Sequence, residues 1–485
     1  MGVDLARPLR RNQRAGRPVP VSPFAPAKRK RFSRNALIGI GLWAALWAGY
    51  YAFPVNLFDP RFPANTIDLI QGLRAYVPIM GAWVALILIL VRFRHVKSWI
   101  GGALGWVMFY AIVGLASSVF VSIDVSDATY FGCMYLSIVI VLLAIVLVPN
   151  PLSDLRHVLT FTWIVGVVLT LGLLGVIPGL GRGALSGYEA PRGLIGAHQA
   201  TGEILGMASR NTGFARYAAI SGIVALARVW EGNRLVRLFW AVIFGASFYS
   251  LLIANGRTEV ASFVASAFLV MFVQKARRTF FLIGGAAAAV LLGIEGFYGW
   301  FFLYLTRTGR LDVTMTGRTR TWEEGWKLFL RSPWWGFGFQ ADRFYLEGQH
   351  MHNAFLHALV QSGVLGGGAL ILALLAVWWL TIKYFLIRQP RDKSLVPPEI
   401  PGVLLFVTFS SFTESTFAYY SAAWLLSAPI FAYVLALDHH MRRSSAKLEG
   451  EREFRRRAAR RSFRGSESPQ GIGVGPPAAA EGTGH

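Results

Sequence analysis

The chain has 485 residues, 54% of them hydrophobic and 15% charged, with a mean hydropathy of +0.47. Soluble domains carry about 25% charged residues, so this composition excludes an ordinary water-soluble globule. The net charge of +23 would point to nucleic acid if it lined one surface, yet residues 1–35 and 439–485 hold ten Lys/Arg each. Neither tail interleaves aromatics with base-reading side chains. Both are expected to be cytoplasmic tails that set topology and touch anionic lipid, with no nucleic-acid partner.

A transmembrane helix needs roughly 20 apolar residues. Apolar runs fall at about 36–53, 69–91, 99–121, 130–148, 158–177, 213–230, 238–253, 259–274, 279–303, 353–387, 401–415 and 422–437. Lipid-exposed backbone must satisfy itself within each segment, and continuous stretches such as Ala82–Val91 exclude the alternation of a barrel strand. The expected fold class is therefore all-α, a polytopic membrane protein with about 12 helices. The first segment lacks a small-residue cleavage site and is expected to be retained. With the N-terminus in the cytoplasm, 34 of the 48 Lys/Arg fall on the inner side, as the positive-inside rule requires. An even helix count returns both basic tails to that side.

The resulting organisation is a basic tail (1–35), nine helices within 36–303 with a periplasmic loop at 178–212, a large periplasmic loop (304–352), three helices within 353–438 and a basic tail (439–485). Loops of such length usually carry function or disorder. In the second, Thr319–Phe329 places Trp322, Trp326 and Phe329 on one helical face, an amphipathic helix suited to the outer interface. Residues 463–485, rich in Gly, Pro, Ala, Ser and Glu, are expected to be disordered.

The outer side should be poor in arginine, yet it holds Arg182, Arg192, Arg210, Arg216, Arg257, Arg307, Arg310, Arg318, Arg320, Arg331 and Arg343. Guanidinium forks match phosphate oxygens bidentately. Converging arginines repel one another unless an anion joins them. A diphosphate has the charge to do so, and at the outer face it would suggest a polyprenyl-diphosphate lipid. Arg257, in a short hairpin between two apolar segments, could instead simply pair with Glu259.

His350-Met351-His352-Asn353 admits three roles: a metal pair, a structural pair, or a general base near neutral pH. No Asp-x-Asp pair exists to hold Mg²⁺ for a sugar-nucleotide reaction. No metal and no cofactor are expected; the lone Cys133 also rules out an intrachain disulfide and a thiolate metal site. Gly363 and Gly366-Gly367-Gly368 would permit close helix packing. Glu414, near the outer end of a helix, is expected to partner an arginine.

These motifs, in order, resemble the O-antigen ligase/polymerase family: Gly317-Arg318-Thr319-Arg320-Thr321-Trp322, Ser332-Pro333-Trp334-Trp335-Gly336-Phe337-Gly338, His352-Asn353, and Gly363-Val364-Leu365-Gly366. Asn255-Gly256-Arg257, Arg210-Asn211-Thr212-Gly213-Phe214-Ala215-Arg216 and Glu414-Ser415 are weaker echoes, with Arg210 where the family has proline. The resemblance covers roughly residues 200–420. It implies a metal-independent, inverting glycosyltransferase of the bacterial inner membrane, acting at the periplasmic face. The donor would be a glycan on undecaprenyl diphosphate, and the acceptor lipid A–core or a growing glycan.

Carried over by position, Arg257, Arg216 and Arg318 would clamp the diphosphate, with Arg210 and Arg320 beside them. His352 would orient or deprotonate the acceptor hydroxyl, and Asn353, Glu414 and Trp322 would support it. The expected activity is a ligase for surface polysaccharide. A polymerase of O-antigen or exopolysaccharide is the alternative within the family, and a small-anion, bicarbonate-like transporter the alternative outside it.

Overall fold

The computed structural model describes residues 33–50, 66–91, 102–148, 151–176, 211–254, 256–274, 318–346, 348–386 and 395–466. These residues form thirteen helices and no strand: α1 (Arg34–Ala48), α2 (Thr66–Val91), α3 (Ala103–Phe120), α4 (Val125–Val146), α5 (Pro151–Val176), α6 (Asn211–Arg228), α7 (Arg234–Ile253), α8 (Arg257–Val273), α9 (Arg318–Arg331), α10 (Ala341–Tyr345), α11 (Ala354–Leu386), α12 (Glu399–Ser410) and α13 (Ala422–Ser466). Seven of them are long and apolar enough to cross a membrane. The chain is an all-α polytopic membrane protein. Eleven of the twelve apolar runs fall on helices, while the run at 279–303 lies outside the described residues.

Polar side chains start the helices where the apolar runs begin. The Ser33 hydroxyl accepts the Ala36 N–H at 2.9 Å and donates to Asp154 on α5 at 2.8 Å, so one residue caps α1 and ties it to a neighbour. Asp124 caps α4 and Asn233 caps α7 through N–H bonds of 3.1 and 3.0 Å. The first part of α13 is enclosed: Trp424, Leu425, Phe431 and Tyr433 are buried, and Trp424 stacks on Tyr135 of α4 at 6.1 Å. Residues 436–485 form a separate unit. There α13 continues through Ser466 as a solvated helix carrying i,i+4 ion pairs such as Arg442–Asp438.

Two departures from regular helix shape the outer loops. The expected span at 401–415 stops at Ser410, and beyond it Ser411 and Thr413 turn their hydroxyls onto backbone carbonyls. The irregular stretch 411–421 that follows is largely buried. Non-helical backbone at such depth must be satisfied by protein. The hydroxyls of Tyr135 and Tyr110 supply this, donating to Phe417 O at 3.0 Å and Ala418 O at 2.6 Å.

The second departure is a break inside α11 at Ser362 and Gly363, where Gly363 adopts φ 61°, ψ −167°. The break frees carbonyls, and the turn after α9 occupies them. Phe337 N–H donates to Val360 O at 2.9 Å, Gly338 N–H to Gln361 O at 2.8 Å, and Val364 N–H returns to Pro333 O at 2.7 Å. The next residue, Phe339, is wholly buried between Gly114 and Gly132, where an added Cβ would come within 2.7 and 3.1 Å of its ring. Glycine at 363 is required for conformation as well as space: a Cβ there would lie 2.2 Å from the Trp334 carbonyl.

Helix α9 is amphipathic, but its buried face is Thr321, Gly325, Leu328 and Phe329. This rotates the expected face away from Trp326, which is half exposed. The cause is Gly325, whose missing side chain admits Met351.

A Gly363→Ala variant should lose about 1–3 kcal/mol from backbone strain alone, whereas Gly368→Ala, with no close neighbour, should melt at or slightly above wild type. Thermal unfolding in detergent checks the pair; equal melting points would mean that the break is not pinned as described.

Candidate functional site

The loop between α10 and α11 is held rigidly at its end. Met351 is fully buried, its N–H donates to Asp342 Oδ2 at 3.0 Å, and its carbonyl accepts the Trp322 indole N–H at 2.8 Å. Asn353 caps α11 by accepting the N–H groups of Phe355 and Leu356 at 3.1 and 3.0 Å. Between these anchors His352 takes φ 49°, a left-handed conformation uncommon outside glycine. Gln340, with φ 60°, is the other such residue among those described, and both line the main cavity. Strain of this kind persists only where the surroundings enforce it.

Glu414 is the centre of the charge arrangement. Its carboxylate, with a side chain 2% exposed, accepts Arg216 Nη2 at 2.6 Å on Oε2 and Arg318 Nη2 at 2.9 Å on Oε1. His352 Nδ1 lies 3.1 Å from Oε2. Arg318 also donates to Thr413 O at 2.9 Å, and Arg216 Nε stands 3.7 Å from Glu259 Oε1. Burial alone would raise the Glu414 pKa, but Arg216, the His352 hydrogen bond and Arg318 outweigh it and hold the group well below the ordinary range. The mutual repulsion of arginines read from the sequence is thus relieved from within the chain.

This cluster borders a cavity of about 600 Å³ at one end of the helix bundle. Arg216, Arg343, His350, His352 and Glu414 supply its polar wall, and Tyr50, Tyr130, Tyr217, Tyr419 and Tyr420 an aromatic one. Tyrosine hydroxyls are partly committed, as in Tyr217 to Tyr50 at 2.6 Å and Tyr130 to Ala75 O at 3.0 Å. Arg343 is tied back to Gly348 O at 2.7 Å.

Of the residues singled out by sequence, Arg216, Arg318, His352, Glu414, Trp322 and Asn353 come together, the last two as supports of the loop. Arg257 opens α8 two positions before Glu259 and does not line the cavity. Arg320 turns away: two residues from Arg318 is about 200° around a helix, and its exposed side chain pairs with Glu324 at 2.9 Å. Arg210 lies outside the described residues, as do Arg182, Arg192, Arg307 and Arg310.

Sequence reasoning passed over Asp342 and His357. Both are fully buried, and His350 Nδ1 lies 2.8 Å and His357 Nε2 3.1 Å from the Asp342 carboxylate. The three side chains place one potential ligand atom each within 4.8 Å of one another, the one such group among the described residues that could hold a metal ion. The signal available was the His352-x4-His357 spacing, while Asp342, eight residues before His350, meets them only through the fold.

Because Glu414 has a depressed pKa, its contribution to stability is full above the ordinary carboxylate value and fades as pH falls towards the folded value. Glu414→Gln should therefore cost on the order of 3 kcal/mol at pH 7, as for one partner lost from a buried pair. The deficit against wild type should hold down to about pH 5 and then shrink by roughly 1.4 kcal/mol per pH unit. Melting curves across pH test this; a deficit independent of pH would exclude an ionised Glu414.

Residues 241–371 match the model of a family described as O-antigen ligase. That stretch runs from α7 into α11 and contains Arg257, Arg318, His350 and His352, with Arg216 and Glu414 outside it. The exopolysaccharide production protein ExoQ of Rhizobium meliloti (strain 1021) is 31% identical over 142 residues, covering 26% of this chain. The match spans 31% of the length of that relative.

Proposed function

We propose, from the match of residues 241–371 to the O-antigen ligase family, that the chain is a membrane glycosyltransferase. It takes a glycan from undecaprenyl diphosphate and transfers it to an acceptor hydroxyl at the periplasmic face of the bacterial inner membrane, both termini being cytoplasmic. The observation that carries the proposal is the Arg216–Glu414–Arg318 bridge with His352, set at the rim of a 600 Å³ cavity. In glycosyl transfer from a lipid diphosphate, negative charge grows on the leaving phosphate. Donors fixed in advance stabilise that charge without reorganisation. Two guanidinia already held by one carboxylate are fixed in this way and leave a net positive charge beside the cavity; on this reading the reaction is metal-independent. The acceptor oxygen attacks the anomeric carbon from the face opposite the diphosphate and inverts it. His352, sharing Glu414 with both arginines, orients the leaving group.

A second reading within the family, polymerisation, is favoured by the relative's name, which concerns exopolysaccharide production. The acceptor would then be a growing glycan. A transporter reading is disfavoured by the break in α11. In transporters, unwound backbone faces the ion, whereas here its carbonyls are taken by Phe337 and Gly338.

Full-length protein in liposomes, given a glycan on undecaprenyl diphosphate, should transfer it in the presence of chelator. Arg318→Ala or Arg216→Ala should lower turnover by at least about 100-fold, and Arg318→Lys should not restore it, because an ammonium lacks the fork. Arg320→Ala should stay within about twofold of wild type. Unchanged transfer by folded Arg318→Ala protein would sink the clamp. In a deletion strain, long lipid-linked polymer left untransferred would mark a ligase, and single repeats a polymerase.

A further inference from the structure

Beside the Glu414–His352 pair lies a second carboxylate–imidazole pair that the clamp does not use. Asp342 Oδ2 accepts His350 Nδ1–H at 2.8 Å and Met351 N–H at 3.0 Å. Tyr110 donates to Ala418 O at 2.6 Å, with Gln361 Oε1 2.7 Å from the same hydroxyl and Gln361 Nε2 beside His357 Nε2. His357 Nε2 stands 3.1 Å from Asp342 Oδ1, which takes no hydrogen bond, so the two N–H groups on Asp342 both meet Oδ2. The Asp342 pKa is held well below the usual range, against the effect of burial, by His357 and His350.

This arrangement fixes the tautomer of His350. With Nδ1–H committed to Asp342, Nε2 carries a lone pair on a ring that lines the cavity. The groups facing the ring are Asp342, His352 at 4.9 Å, His357 at 5.2 Å and Tyr419 at 5.3 Å between ring centroids.

An inverting displacement needs a clamp on one side of the anomeric carbon and a base on the other. His352 is tied to the carboxylate that holds both arginines, on the leaving-group side. We propose that His350, oriented by Asp342, accepts the proton of the attacking sugar hydroxyl of the acceptor glycan. The hydroxyl O–H bond breaks towards His350 Nε2 while the oxygen bonds the anomeric carbon. The bond from that carbon to the phosphate oxygen breaks, and its electron pair leaves with the diphosphate. The His350 proton then passes to water. His350 is the catalytic residue of this step and Asp342 its positioning residue. The inference rests on the glycosyl-transfer reading above.

The test uses full-length protein in liposomes with two readouts: turnover of a glycan on undecaprenyl diphosphate, and thermal stabilisation by undecaprenyl diphosphate alone. His350→Gln should lower kcat by about 100-fold or more with little change in KM, and stabilisation by the lipid diphosphate should be unaltered. In His350→Ala, added imidazole should restore about tenfold or more of the lost rate, and should not do so in His352→Ala. Asp342→Asn should lower kcat by about tenfold or more with little change in KM, because the imidazole loses the contact that orients it.

Turnover within about threefold of wild type in folded His350→Gln protein would overturn the proposal. So would a stoichiometric zinc or manganese ion in the purified chain that is lost in His357→Ala, since it would claim the same side chains. Failure of wild type in both readouts would instead remove the glycosyl-transfer premise, and the proposal would fall with it.

Discussion

Backbone hydrogen bonds freed at the break in α11 are the constraint on which the rest of the site depends. In an apolar surrounding, each unsatisfied carbonyl costs several kcal/mol, so a helix can break only where something else fills the gap. Here the filler is the turn after α9, docked edge-on against Val360, Gln361 and Val364. The same docking places Phe339 in the notch made by Gly114 and Gly132, and sets Gln340, Asp342 and the residues that follow at the cavity wall. The glycines at 336, 338 and 363, all with positive φ, serve one joint.

On this joint the protein arranges charge in two separate sets. Glu414 gathers two arginines and a histidine; Asp342 gathers two histidines and a backbone N–H. Each carboxylate is buried, and each remains ionised because its donors outnumber its losses on leaving water. The first set joins two arginines and a histidine to one carboxylate. The second joins two imidazoles to the other.

Much of the fold was legible because a membrane helix is written in continuous apolar residues. What was missed has specific causes. The run at 401–415 looked like a span, yet α12 ends at Ser410. The glycines near 363 looked like packing residues, whereas Gly363 breaks its helix. In the site, Arg318, His352 and Glu414 were legible through short motifs. Arg320 shared the motif but not the face, since helical rotation separates neighbours two apart. Asp342 belongs to no motif and meets the site only through tertiary folding.

The wide sequence separation inside the Glu414 cluster has a consequence for biogenesis. Arg216 and Glu414 are 198 positions apart, so at about 5–20 residues per second the ribosome needs roughly 10–40 s to deliver the second after the first. During that interval the nascent chain carries an arginine destined for burial without its main counter-charge. Glu259, which emerges far earlier and faces Arg216 at 3.7 Å, is placed to act as an interim companion.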